Sequence, residues 1–182
     1  MTLPRDLRPS AADLADAPNR TIEDVIAPGL DVLFVGINPG LWTGATGFHF
    51  ARPGNRFWRA IHEAGLTPTL LSPDQQRELL RHGLGVVNLV NRTTARADQL
   101  SADELRAGGQ ALLAKIEQYK PRKVAFLGVS TYRVAFGEPD VSVGRQQKRI
   151  GNSEVWVLPN PSGLNAHYQL PELARAYAAI KG

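Results

Sequence analysis

Four short runs of apolar residues recur along the chain, and longer amphipathic stretches separate them. The runs cover residues 31–35, 84–90, 123–127 and 154–158. They are rich in β-branched residues and almost continuously apolar, which is typical of strands that are covered on both faces. The pattern therefore predicts four buried strands.

Helix signals fill the segments between these runs. Ser72 and Pro73 supply a cap and a first-turn proline for a helix that Gly83 ends, and Ser101 caps a longer helix that runs to about Tyr119. Further helices are expected near residues 55–65, 130–136 and 171–180. Strands and helices that alternate at this spacing predict an α/β protein, a three-layer α/β/α sandwich with a short, mainly parallel sheet of about four strands.

The first 29 residues contain no comparable run. We expect a loosely attached leader over residues 1–29, with one helical turn at Thr21 to Ile26, and a single domain over residues 30–182. In such sheets ligands bind beyond the carboxyl ends of the strands. The loops in which to expect a site are therefore 36–55, 91–100, 128–149 and 159–169.

The N-terminal residues alternate alanine with aspartate, arginine and proline, and no apolar run approaches the ~18 residues of a membrane span. This pattern predicts neither a signal peptide nor a helical membrane anchor. We therefore expect a cytoplasmic protein, associated with the nucleoid if the source is bacterial.

Cysteine is absent from the 182 residues, which removes several kinds of chemistry. Disulfides, thiolate zinc sites, cysteine nucleophiles and cysteine-ligated iron–sulfur clusters are all excluded. The four histidines show no metal-ligand spacing, and no phosphate-binding or dinucleotide fingerprint is present. We expect no metal and no cofactor.

The positions of the charged residues along the chain say more than the net charge does. The net charge is only +4, but three acid-free windows, residues 32–62, 79–97 and 141–153, contain basic residues without a single aspartate or glutamate. The first window also holds six of the thirteen aromatic residues. If the fold brings the three windows to one edge, they form the basic and aromatic surface expected of a nucleic-acid site.

The alternative interpretation is that acids are scarce there by chance and that the aromatic residues form the core. Core packing is our expectation for Phe34, Phe57 and Trp58, which fall on predicted strands or helices. Phe48 and Phe50 fall in a glycine-rich loop without periodicity, so a functional role and a structural role are both open for them.

Two turn motifs bracket the predicted sheet. The first strand is followed by Gly36-Ile37-Asn38-Pro39-Gly40, and the last by Asn160-Pro161-Ser162-Gly163-Leu164-Asn165. Over residues 31–181 the chain resembles the mismatch-specific uracil/thymine DNA glycosylases of the uracil-DNA glycosylase superfamily. The resemblance extends to Gly47-Phe48-His49-Phe50, Gly54-Asn55-Arg56-Phe57-Trp58, Asn88-Leu89-Val90 with Arg92-Thr93-Thr94, and Gly108-Gly109.

This resemblance implies roles for residues of the first motif and its surroundings. Asn38 would position the water that attacks the anomeric carbon of the sugar, and Phe50 would stack on a flipped base. Gly36, Ile37 and Asn160 would line the base pocket together with Thr43, although the pocket serine of the family is not kept at this place.

The second motif would contact the DNA. Leu164 would fill the gap that the flipped base leaves, Gly163 would meet the opposite guanine, and the neighbouring Ser162 and Asn165 would also bind DNA. Ala166 stands where some members of the family have an arginine. Either His167 or Tyr168 substitutes for that arginine, or discrimination of the opposite base is looser.

An asparagine can bind a water molecule but cannot remove its proton. Asp98 is the only carboxylate between residues 91 and 102. We therefore consider it as a second catalytic residue, against the alternative that it is a solvated or capping aspartate.

Taken together, these features predict a monofunctional DNA glycosylase that removes uracil and related pyrimidines opposite guanine. Its partner would be double-stranded DNA, and it would act as a monomer, without membrane or metal. Two alternatives stay open: a DNA damage-binding domain without turnover, and a small α/β enzyme that acts on a nucleotide or phosphoester.

Overall fold

A computed structural model describes residues 3–182, which fold around a central five-stranded sheet. Its strands are β1 (Val32–Gly36), β2 (Leu84–Asn88), β3 (Lys123–Leu127), β4 (Gly144–Ile150) and β5 (Ser153–Leu158), in the order β2-β1-β3-β5-β4. The first three strands and β5 are parallel, and β4 pairs antiparallel with β5. The four predicted strands and their mainly parallel arrangement are confirmed.

Helices cover both faces of the sheet. The α-helices are α1 (Ala11–Ala15), α2 (Leu41–Thr46), α3 (Phe57–Glu63), α4 (Ala102–Tyr119), α5 (Val129–Phe136) and α6 (Leu170–Ala178), and 3₁₀ segments lie at Arg5–Leu7, Pro73–His82, Ala97–Gln99 and Ala179–Lys181. One core lies under α3 and α6 and contains Phe34, Phe57 and Trp58, as expected. The other core lies under α4 and α5, so the three-layer sandwich is confirmed.

The sheet has a fifth strand that the hydrophobic pattern does not reveal. Strand β4 begins inside the expected loop 128–149 and ends one residue beyond it, and its side chains are almost all polar. Main-chain pairing with β5 forms this edge strand, and most of its residues face solvent. A strand without a buried face carries no apolar alternation, so the sequence-based count of about four is one too low.

Two further local expectations are wrong. Residues 21–26 form no helical turn, because the β-branched Val25 pairs antiparallel with Val86 of β2. The segment 36–55 is not only loop, since it contains α2. That helix is too short to show a helical period, and Gly47 ends it in the left-handed conformation with φ of 76°.

The described part of the N-terminal segment packs against the domain. Leu3 and Ala17 are buried, and α1 packs on α2. Asp24 forms an ion pair with Lys115 of α4. A domain boundary at residue 29 stays a prediction, but the segment lies along the β2 edge of the sheet, where Val25 bridges to Val86, and Asn19 bonds to Thr93 beyond the carboxyl end of β2.

Candidate active site

A cavity of about 330 Å³ opens at the carboxyl ends of β1 and β3. The chain leaves β1 for a neighbour on one side and later places β3 on the other side, which is where open α/β sheets bind ligands. Nine of the residues predicted from the sequence line it: Gly36, Ile37, Asn38, Thr43, Phe50, Asp98, Asn160, Ser162 and Leu164. Gly163, Asn165 and His167 lie outside its lining, as do residues 128–149.

Asn38 is held by hydrogen bonds from one end of its amide. Its Nδ2 donates to the carbonyl oxygen of Arg92 at 2.8 Å and to Thr94 Oγ1 at 2.7 Å. The Thr94 hydroxyl donates its own proton to the carbonyl of Arg96 at 2.8 Å, so it can only accept from Asn38. This network determines which end of the amide is nitrogen.

The remaining amide atom, Asn38 Oδ1, is therefore the end left for a ligand. It accepts no hydrogen bond from the described residues. Asn38 is half-buried and lines the cavity. A carbonyl oxygen held in this way can accept a hydrogen bond from a water molecule and orient it, but it cannot take up a proton.

Phe50 and Asn88 pack beside Gly36 at the end of β1. The Phe50 ring stacks on Phe57 with 4.1 Å between ring centroids, and its backbone has φ of 55°, a conformation that is uncommon for a bulky residue. A β-carbon on Gly36 would lie 2.7 Å from Asn88 Oδ1 and 3.3 Å from Phe50 Cζ. The glycine thus leaves room for two side chains that line the cavity.

The segment that contains the second motif folds into a compact loop of side-chain and main-chain hydrogen bonds. Asn160 Oδ1 accepts from the Ser162 amide at 2.9 Å, and Asn165 Nδ2 donates to the Asn160 carbonyl at 3.0 Å. Leu164 lies at the tip with 74% of its surface exposed. An apolar side chain that is held out in solvent on a rigid loop has the form of a wedge.

Arg56 binds this loop through the loop's main-chain carbonyl groups. Its guanidinium donates to the carbonyl oxygens of Tyr168 at 2.7 Å and Asn165 at 3.0 Å, and also to that of Ser162. Gly163 packs on the backbone of residue 54, since a β-carbon there would lie 2.8 Å from the Gly54 carbonyl oxygen. This packing requires glycine at 163 in the free protein, and a contact with guanine stays a prediction.

Asp98 lies on the cavity wall but has a partner. It forms an ion pair with Arg96 at 3.0 Å, and 65% of its side chain is exposed. His167 is exposed and only its backbone amide bonds to Asn165. The catalytic role of Asp98 and the DNA contact of His167 both stay predictions.

His49 is a buried wall residue. Its Nε2 lies 2.9 Å from the Glu23 carbonyl oxygen, which can only accept, so Nε2 carries the proton in the neutral ring. Burial lowers the pKa of His49, which keeps the ring neutral near pH 7. Nδ1 has no hydrogen-bond partner among the described residues and is shielded from solvent.

Most basic residues of the acid-free windows have an acidic partner in space. The pairs are Arg59–Glu63, Arg81–Glu78, Arg92–Glu104, Arg96–Asp98, Arg145–Glu154, Lys148–Glu138 and Arg149–Glu154. The Arg92 bond lowers the pKa of Glu104 to about 2. Arg52 lines the cavity and is exposed, and its guanidinium has no ion pair or hydrogen bond within residues 3–182.

The third acid-free window does not join the other two. Its Arg145, Lys148 and Arg149 lie on β4, at the opposite edge of the sheet from β2, and none of them lines the cavity. The expectation that all three windows meet at one edge is wrong. It failed because this window is an antiparallel edge strand and not a loop at a carboxyl end.

Three residues of the site carry no predicted role in the sequence: Asn88, Thr94 and Arg56. Asn88 could be suspected as the polar end of an apolar strand, and Thr94 from its place beyond that strand. Arg56 gave no usable signal, because its partners are carbonyl groups more than 100 residues away in sequence.

Within residues 3–182 there is no group of three side chains suited to hold a metal ion. No helix in that range has both the length and the apolarity to cross a bilayer. The cavity itself offers oriented amides, a stacked ring, backbone groups and the unpaired Arg52 guanidinium.

Comparison with known proteins places these features in a family context. The family model described as the uracil DNA glycosylase superfamily matches residues 23–181. The fold is similar to the solution NMR structure of a provisionally assigned uracil DNA glycosylase from Methanosarcina acetivorans. The match has 18% sequence identity and a TM-score of 0.58, and covers 90% of this chain and 99% of that one. At this identity the likeness shows the fold alone.

Proposed function

The chain belongs to the uracil DNA glycosylase superfamily, and on that premise we propose that it is a monofunctional DNA glycosylase acting on uracil opposite guanine. It would hydrolyse the N-glycosidic bond in duplex DNA and so start base excision repair. Family membership supports DNA glycosylase as the general activity. The mismatch preference is supported by the two turn motifs, at residues 36–40 and 160–165.

The orientation of Asn38 carries the proposal. Its Nδ2 donates to Thr94 Oγ1 and to the carbonyl oxygens of Arg92 and Pro39, which leaves Oδ1 for a water molecule. Oriented in this way, the water can attack the anomeric carbon, while the base departs as an anion and the sugar carries positive charge in the transition state. Asn38 contributes by positioning the water and not by removing its proton, since an amide is no base. As the new C–O bond forms, the proton of the water passes to solvent or to the departing base anion.

The other groups act on the base and the duplex. Phe50, fixed by Phe57, offers a ring on which a flipped pyrimidine can stack, and Asn88 is a polar group near it. A base must leave the stack before it can be cut, and an apolar wedge stabilises the emptied site. Leu164 has the exposure and the rigid support for that role.

The substrate range would include related damaged or mismatched pyrimidines, since the family's pocket serine is not kept at Thr43. The residue at 166, an alanine where some members of the family have an arginine, bears instead on how strictly guanine is required opposite the excised base. The partner would be double-stranded DNA, bound by a monomer.

The deciding experiment measures single-turnover uracil release from G·U, A·U and single-stranded substrates. We expect excision to be fastest on G·U, and Asn38→Ala to slow it by about 100-fold, because misplacing a reacting group can cost that much. Asn152→Ala, on the β4–β5 turn away from the cavity, is the matched control and should keep the wild-type rate. Equal rates for wild type and Asn38→Ala would refute the proposed activity.

A further inference from the structure

We propose that residues 19–22, here called the strap, position the catalytic asparagine from outside the cavity. The strap lies before residue 23, where the match to the family model begins. This inference rests on the proposed function and extends it to a segment that we expected to be loosely attached. It assigns the strap a role in the rate of bond cleavage and not only in stability.

The strap is tied to residues 91–93 by six hydrogen bonds. The Ile22 backbone exchanges two with the Asn91 side chain, at 3.0 and 2.7 Å. The Arg20 carbonyl accepts from both the amide and the hydroxyl of Thr93, at 2.9 and 2.7 Å. The backbone amide of Asn19 donates to the Thr93 carbonyl at 2.9 Å, and its side-chain Oδ1 accepts from the Arg92 guanidinium at 3.3 Å.

The bound segment leads directly to the acceptors of Asn38. The Arg92 carbonyl and Thr94 Oγ1, which hold Asn38 Nδ2, lie inside and immediately after the residues that the strap binds. Thr93 is 1% exposed and is also pressed against α2, since a β-carbon on Gly44 would collide with its side chain. Thr93 is thus fixed between the strap and the helix that follows the first motif.

Neither the strap nor residues 91–93 line the cavity. We therefore infer that the strap acts on the reaction through the positions of the two acceptors of Asn38, the Arg92 carbonyl and Thr94 Oγ1. A displacement of about 1 Å in such a group can cost about 100-fold in rate. Six bonds to one short segment are a means of preventing it.

The test uses the full chain and three variants of residues 91 and 93. Thr93→Val keeps the shape but removes the hydroxyl that bonds to Arg20, and Asn91→Ala removes both bonds to Ile22. Thr93→Ser restores the hydroxyl. Ser153→Ala is the matched control, because Ser153 Oγ makes a similar buried bond, 2.6 Å to the Pro121 carbonyl, at the opposite end of the sheet.

We expect the combined Asn91→Ala and Thr93→Val variant to lower the single-turnover rate on G·U duplex by about tenfold or more. Duplex affinity should be unchanged, and the protein should stay folded at the assay temperature. Thr93→Ser should keep most of the rate, and Ser153→Ala should lose stability without losing rate.

Two results would overturn the inference. One is a wild-type rate in the folded combined variant. The other is a rate loss in Ser153→Ala as large as in Thr93→Val at equal stability, which would indicate a general effect of destabilisation. Either result can be distinguished from failure of the proposed function, because in both cases the wild type still excises uracil and Asn38→Ala still slows that excision.

Discussion

At the scale of single residues, a glycine at the end of β1 shapes the cavity by what it lacks. Gly36 pairs with Asn88 in the sheet register, and the missing β-carbon leaves space for the Asn88 amide and the Phe50 ring. Gly40 also lines the cavity, but a β-carbon there would meet nothing within 4 Å. Only the first of these two glycines is therefore required by the packing of neighbouring side chains.

This contrast predicts different outcomes for two alanine substitutions. Gly36→Ala should displace Asn88 and Phe50 and lower the excision rate by about tenfold or more. Gly40→Ala should leave the rate near that of wild type. Single-turnover excision and thermal unfolding of both variants check this, and equal rates for the two would contradict the assigned role of Gly36. The displaced groups are side-chain ends, so Gly36→Ala should still fold.

At the scale of elements, the loop of residues 160–168 depends on one arginine from a distant segment. Arg56 binds the carbonyl oxygens of Ser162, Asn165 and Tyr168 and so replaces the regular hydrogen bonding that a loop lacks. The planar guanidinium reaches all three at once, which a lysine cannot do. The direction of Leu164 is therefore set by the residue immediately before α3 as well as by the loop itself.

We expect Leu164→Ala to slow excision from duplex more than from single strands, because only duplex DNA needs a wedge. The loss on duplex should be about tenfold or more, since unstacking costs a few kcal/mol and about 1.4 kcal/mol corresponds to tenfold in rate. Excision assays on matched duplex and single-stranded substrates give the ratio. Equal losses on both would argue against the wedge.

Arg56→Gln should reproduce the Leu164→Ala defect, and adding it to Leu164→Ala should cost little more on duplex. Non-additivity is expected when two residues act as a unit. Arg133→Gln is the matched control, because Arg133 also binds a carbonyl, that of Val141 at 2.7 Å, on the far side of the sheet. If the Arg56 and Leu164 effects multiply, Arg56 does not act through the wedge.

At the scale of the whole molecule, the excess of basic residues does not translate into a broad basic face. Acid-free stretches of sequence meet acidic side chains from elsewhere, such as Glu104 on Arg92 and Glu154 on Arg145. Arg52 is the exposed cavity residue whose cation has no partner within the described chain. Under the proposed function, we expect this guanidinium to bind a DNA phosphate beside the cavity.

The salt dependence of duplex binding tests this placement of charge. Each phosphate contact contributes about 0.9 to the slope of log K against log salt concentration. Arg52→Ala should lower the magnitude of that slope by about this amount, whereas Arg149→Ala, on β4 and near Glu154, should not change it. An unchanged slope in Arg52→Ala would remove the predicted phosphate contact.

The buried parts of the fold were predictable because burial leaves a pattern in the sequence. The four strands under both helical layers are apolar runs, and the capping residues Ser72 and Ser101 mark where helical segments begin. Parts held by main-chain pairing or by single polar contacts left no such pattern. Strand β4 and helix α2 belong to this group, as does the pairing of Val25 with Val86.

The sequence by itself determined the α/β class, the strands that carry the site and the two turn motifs, because apolar period and turn chemistry are local properties. Only the tertiary structure decided which end of Asn38 faces the cavity, which cations stay unpaired, and that residues 19–22 bind the segment holding Asn38. These are contacts between residues far apart in the chain, so no local pattern could contain them.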